Sequence, residues 1–169
     1  MNDQLKKEVI KYAQKLNSTN LSPLRSGNVS VRAIENNEEG FYITPSGKKY
    51  ETLKEEDIVF LKLNEEKNFL TWFNSGKNPS SEWKFHQDIY INKREARAIV
   101  HAHSPHATAV SSHGKPIPAF HYMVALAGGE DIKCSDYATF GTRELSQNIL
   151  RALQNRKACL MSNHGQVAF

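Results

Sequence analysis

Apolar residues recur at helical spacing near the start of the chain. Leu5, Val9, Ile10 and Leu16, with Tyr12 nearby, predict an amphipathic helix over residues 3–18. The period then changes. "NVSVRAI" alternates and is rich in Val, which predicts a strand; "NNEEG" reads as a turn and "FYITP" as a returning strand. "YETLKEED" predicts a short helical turn, "DIVFLKL" a strand, "NEEKN" a turn and "FLTWF" a further short strand. After the irregular "SGKNPSS", Ser81 is placed to cap a helix over "EWKFHQDIYINK", with Trp83, Phe85 and Ile89 inward. "ARAIVHAH" is a strand by composition, and "SPHATAVSSHG" a helix begun by Ser104 with proline at its first position. "YMVALAGG" predicts a short helix closed by glycines. "GTRELSQNILRALQNR" predicts a helix capped by Thr142, with Leu145, Ile149, Leu150 and Leu153 inward. "KACLMSNHGQVAF" gives a strand, a polar bend and a last strand.

Strands and helices interleave, while the early hairpins imply antiparallel pairing. The fold class is therefore α/β, with a mixed sheet flanked by helices. There is no repeat or low-complexity tract, and 169 residues suit one domain with a full core. The final "HGQVAF" stops inside a predicted strand, which a truncated chain would explain as well as a natural end.

Composition narrows the setting. At 39 % hydrophobic and 24 % charged residues, the chain has the balance of a globular protein and not of a disordered one. No apolar run is long enough to span a bilayer, and "MNDQLKKEVIKYAQKL" lacks the features of a secretory signal, so a cytoplasmic location is expected. Two cysteines, Cys134 and Cys159, are too few for a disulfide framework and read as free thiols. The net charge of +4 is spread among acids, with no stripe for nucleic acid, and suits a small anionic ligand.

The candidate chemistry begins in "AIVHAHSPHATAV", which holds three of the seven histidines. On a strand His101 and His103 point to the same side, which is half of a tetrahedral zinc site. The pair alone fits two structural histidines equally well. His164, in the bend "SNHGQ", is the best third ligand, with Gly165 expected to let the backbone turn sharply. His106, His113 and His121 are weaker candidates. Glu82 lies at a helix start and shares a helix face with His86, four residues on. Beside it Ser80 and Ser81 offer hydroxyls and amides to an anion. "RSGNVSV", with Gly27 and Asn28, and "TPSG", with Thr44, Ser46 and Gly47, have the same character. Each loop alone is an ordinary turn, but three together fit an oxyanion pocket. Neither a Walker loop nor a dinucleotide fingerprint is present, so a small phosphorylated metabolite is expected in place of a nucleotide.

Taken in order, "SGNVSVR", "ITPSG", "NPSSEWKFH", "VHAHSPHATAVS", "IPAFHYMVALAGG", "YATFGTREL" and "LMSNHGQVA" resemble the class II aldolase and adducin head family, from the first helix to residue 169. The resemblance implies one three-layer α/β/α domain around a mixed, mainly antiparallel sheet, lacking the family's C-terminal helices. It implies one zinc ion per subunit on His101, His103 and His164, with Glu82 completing the shell and acting as acid and base. It implies a phosphate pocket of Gly27, Asn28, Thr44, Gly47, Ser80 and Ser81. It further implies a homotetramer with sites between subunits, into which Tyr122 of a neighbour reaches near the C4 hydroxyl. The reaction implied is cleavage of a ketose 1-phosphate without a Schiff base, and no lysine lies in this set. The same fold carries pentulose-phosphate epimerases, methylthioribulose-phosphate dehydratases and sugar-acid phosphate decarboxylases. Epimerases tend to have aspartate at the place of Glu82. Non-catalytic adducin heads lack the metal histidines.

Overall fold

The computed structural model describes residues 2–24, 26–64, 76 and 78–169. Among these residues seven strands form one sheet: β1 (Asn28–Glu35), β2 (Glu38–Ile43), β3 (Val59–Lys62), β4 (Ala98–Ala102), β5 (Cys134–Ser135), β6 (Ala158–Met161) and β7 (Gly165–Ala168). Their order is β3-β2-β1-β4-β7-β6-β5. Only β5 and β6 pair in parallel; the other neighbours are antiparallel. The sheet is thus mixed and mainly antiparallel, as expected. Among the described residues the α-helices are α1 (Asn2–Ser18), α2 (Trp83–Asn92), α3 (Pro105–Ser111) and α4 (Arg143–Ala152).

Period-2 alternation sorts the core to two faces. On β2, Phe41 and Ile43 join Phe85, Ile89, Leu145 and Ile149 of α2 and α4 in one buried cluster. Tyr42, between them, joins Val9, Ala13 and Leu16 of α1 in the other. The α1 stripe is the predicted one. Helices therefore cover both faces, which is the α/β/α layering.

Several boundaries differ from the sequence reading for local reasons. Asn36 and Asn37 both have positive φ, at 51° and 64°, so two residues close the β1–β2 hairpin and β2 starts three residues earlier than "FYITP". "YETLKEED" splits into two single 3₁₀ turns, Tyr50–Thr52 and Glu55–Asp57. Helix α2 begins at Trp83, with Glu82 as its N-cap residue in place of Ser81. The segment Tyr122–Ala127 is 3₁₀, closed by Gly128 at φ 94°. Thr142 caps α4 as expected, its hydroxyl accepting the Leu145 N–H at 3.2 Å. Cys134 and Cys159 are free. Among the described residues, no helix is long and apolar enough to cross a membrane. The predicted strand "FLTWF" lies outside the described residues.

Candidate metal centre and phosphate pocket

Four side chains meet at one end of the central strands. His101 is on β4, and its strand neighbour in β1 is Asn28. His103 follows directly after β4. His164 stands in the β6–β7 hairpin, immediately before Gly165. Glu82 caps α2. One ligand atom from each lies within 4.8 Å of all the others. His101 Nε2 is 3.1 Å from Glu82 Oε2, His164 Nε2 is 3.3 Å from Glu82 Oε1, and the Nε2 atoms of His101 and His103 are 2.8 Å apart.

The His101 ring is oriented, and the His103 backbone held, from behind. The backbone carbonyl of Gln166 on β7 accepts the His101 Nδ1–H at 2.9 Å, leaving Nε2 to face the cluster. Ser22 Oγ accepts the His103 backbone N–H at 3.2 Å. Gly165 serves close approach and not the expected turn: the left-handed residue of the hairpin is Asn163, at φ 54°. A Cβ on Gly165 would lie 2.4 Å from the Ala102 carbonyl oxygen and 3.2 Å from the His103 ring.

Electrostatics agree with a cation-binding cluster. Burial opposes the Glu82 charge, but the charge and hydrogen bond of His101, with His164 and Asn28, outweigh it and hold the carboxyl at about 2. Burial opposes charge on His101 too, and Glu82 overcomes it, so that imidazole is raised above its ordinary value. Burial, then the charges of His101 and His164, push His103 down to about 4. Burial also lowers His164. One carboxylate and three imidazoles, packed so that close nitrogens repel unless a proton or cation sits among them, fit a divalent ion. Glu82 Oε1 is buried and accepts no hydrogen bond from the described residues; the 3.3 Å approach of His164 is an ion-pair contact only. A cation would satisfy it. The arrangement is that of a mononuclear, zinc-type site.

The cluster borders a cavity of about 360 Å³. Gly27, Asn28, Gly47, Ser80, Ser81, Glu82, His103 and His164 line it, while His101 is fully buried behind them. Thr44 does not line it. Its side chain is buried and its hydroxyl accepts the Val29 N–H at 3.3 Å, because Thr44 continues the inward face of β2; Ser46, further around the turn, is on the wall instead. The Asn28 side chain gives one Nδ2–H to Glu82 and meets His86 through Oδ1, so a single amide hydrogen remains for a ligand in the cavity. Tyr122 is 80 % exposed and stands apart from this cavity. Residues without a sequence signal also form the wall: Lys48, ion-paired with Asp57, and Tyr50, Tyr137, Phe140 and Asn163. His106, His113 and His121 are not in the cluster.

The sequence model of the family described as "Class II Aldolase and Adducin N-terminal domain" matches residues 7–169. The chain is 45 % identical over 166 residues to "L-fuculose phosphate aldolase" of Escherichia coli O6:H1, covering 98 % of this chain and 73 % of that protein. It is 44 % identical over 164 residues to "5-methylthioribulose-1-phosphate/5-deoxyribulose-1-phosphate aldolase" of Rhodospirillum rubrum, covering 97 % of this chain and 70 % of that one. A solved structure titled "L-fuculose 1-phosphate aldolase" superposes with a TM-score of 0.85 at 39 % identity, covering 98 % of this chain and 74 % of that chain.

Proposed function

Since the chain belongs to the class II aldolase and adducin N-terminal domain family, we propose that it is a zinc-dependent aldolase. The substrate we propose is L-fuculose 1-phosphate, cleaved reversibly to dihydroxyacetone phosphate and L-lactaldehyde. The carrying observation is the cluster of Glu82, His101, His103 and His164 at the wall of a serine- and glycine-lined cavity. A bare scaffold has no use for four converging donors.

His101, His103 and His164 would hold the ion, with Glu82 as fourth ligand. Bound there, zinc supplies Lewis-acid stabilisation of the negative charge left when the C3–C4 bond breaks. The chain supplies the rest. Glu82 removes the C3 proton of dihydroxyacetone phosphate in condensation and returns it to C3 in cleavage. Gly27, Asn28, Gly47, Ser80 and Ser81 offer amides and hydroxyls to the phosphate, with Ser46 beside them. Binding at that remote handle orients the reacting carbons. In cleavage the C4 hydroxyl proton leaves as the C3–C4 bond breaks and C4 becomes the aldehyde carbon, and Tyr122 of a neighbouring subunit is the group assigned to take it. The proposal therefore includes a homotetramer with sites between subunits, in the cytoplasm. It is supported by the exposure of Phe120, Tyr122 and Leu126 on one segment.

The 44 % identity to the Rhodospirillum rubrum protein favours a second reading, in which the sugar is a 5-deoxypentulose 1-phosphate or its methylthio analogue. Side-by-side kcat/KM values on the three phosphates, with triose phosphate release as readout, decide between them. L-Fuculose 1-phosphate should be preferred. Preference for a 5-deoxy substrate transfers the assignment to the second reading, and release of triose phosphate from none of them overturns both.

A further inference from the structure

A buried line of polar groups runs from the candidate centre into the core, between β1 and α2. Glu82 Oε2 lies 3.0 Å from Asn28 Nδ2. Asn28 Oδ1 meets His86 Nε2. His86 Nδ1 is 2.7 Å from Ser30 Oγ, and Ser30 Oγ is 2.9 Å from Tyr90 Oη. All five side chains are buried, His86 and Ser30 completely. Two strides make the register possible. Residues 28 and 30 stand about 6.6 Å apart on one face of a strand. Residues 82, 86 and 90 climb about 6 Å per step along one face of a helix.

The carboxylate fixes the direction of every bond in this line. Glu82 Oε2 only accepts, so Asn28 must turn its NH₂ toward it. Asn28 Oδ1 then faces His86 and needs a donor, so His86 carries its hydrogen on Nε2. Nδ1 is left as an acceptor and takes the Ser30 hydroxyl hydrogen, and Ser30 in turn accepts from Tyr90. The opposite tautomer would set the bare His86 Nε2 against Asn28 Oδ1, or rotate the amide and set its oxygen against Glu82. Either clash is costly in a buried setting. Burial, followed by the His101 charge, pushes His86 down to about 3, so a doubly protonated ring does not offer a third arrangement.

We propose that His86, through Asn28, is a positioning residue for Glu82: its Nε2–H tautomer holds the Asn28 amide so that one carboxylate oxygen is pinned and Oε1 is left for the cation and the substrate. This rests on the aldolase reading for its catalytic consequence, but not for its effect on the site itself.

The test has two readouts that need no turnover. Nitrogen-15 NMR of the metal-free and zinc-loaded protein should show His86 protonated at Nε2 and bare at Nδ1 in both. Zinc affinity, by chelator competition, should fall about 10- to 100-fold in His86→Leu, the range for groups that orient metal ligands. His86→Gln, whose amide NH₂ reaches the place of Nε2, should restore it to within about threefold. Ser30→Ala removes the donor to Nδ1 and should leave the hydrogen on Nε2, because Asn28 Oδ1 still requires it, and a hydrogen moved to Nδ1 would overturn the proposal; this variant and the wild-type spectrum decide the matter if His86→Leu fails to fold. A hydrogen on Nδ1 in the wild type, zinc affinity unchanged in His86→Leu, or His86→Gln as weak as His86→Leu would each overturn the proposal. Absence of aldol cleavage by the zinc-loaded wild type would instead refute the aldolase reading and leave these outcomes intact.

Discussion

Replacing Gly165 by alanine tests the link between strand packing and the metal centre. The added Cβ would sit 2.4 Å from the Ala102 carbonyl oxygen. A relaxed C···O contact is about 3.3 Å, so β7 and β4 must part by roughly 0.9 Å at that point. The same atom lies 3.2 Å from the His103 ring, and so the parting falls between two ligands. Overpacking of this size costs about 1–3 kcal/mol. Displacement of a ligand ring by a comparable distance should weaken zinc about 10- to 100-fold, by analogy with changes that disorient ligands. Gly47→Ala is the control. Its Cβ would meet nothing within 4 Å, although φ is +77°. It should lose about 1–2 kcal/mol from the left-handed backbone alone and keep full zinc affinity. Denaturant unfolding and chelator competition on both variants give the two quantities. A Gly165→Ala protein that loses stability but binds zinc like the parent would refute the claim that this contact places His103. One that changes in neither respect would refute the close approach.

Two further outcomes follow from the site's charges and loops. In the metal-free protein, His86 and His103 have folded-state values of about 3 and 4 against an unfolded 6.5, so the unfolded chain takes up protons first as pH falls. Glu82, held at about 2, adds stability above its unfolded 4.5 that is lost between 4.5 and 2, while raised His101 adds stability below 6.5 that is lost as pH rises through its folded value. The denaturant midpoint should therefore fall steadily below pH 6.5, and a midpoint flat down to pH 5 would contradict the burial of these rings. Ser81→Ala should weaken a phosphorylated inhibitor by about 1.5–3 kcal/mol in calorimetry with bound zinc unchanged; equal loss for an unphosphorylated analogue would move the phosphate elsewhere.

What the sequence made legible was the part set by local stride. Spacing by two brought His101 and His103 together, although His103 lies just past the strand. His164 was found because a polar bend after an apolar strand faces across a sheet. The stripe of α1 and the cap of α4 were equally plain. The misses all depend on how separate elements register. Nothing near Thr44 shows that β2 ends by turning it inward and leaves Ser46 on the wall. Nothing near Asn28 shows that its amide is divided between Glu82 and His86. Glu82 and His86 share a helix face as their spacing implies, but nothing in that spacing shows that Asn28 of β1 stands between them. The polar bend alone makes Gly165 a turn residue, whereas it is the strand across the sheet that requires it.

The place of β4 in the strand order has a kinetic consequence. This strand pairs with β1, far upstream, and with β7, at the far end of the chain. The donors of the cluster therefore converge only after two long loops have closed, late on any folding route. A cation that binds the converged set stabilises the native state and little of what precedes it. Its binding energy then enters the barrier to unfolding rather than the barrier to folding. Metal supply would accordingly govern the lifetime of the finished fold more than the speed at which it forms.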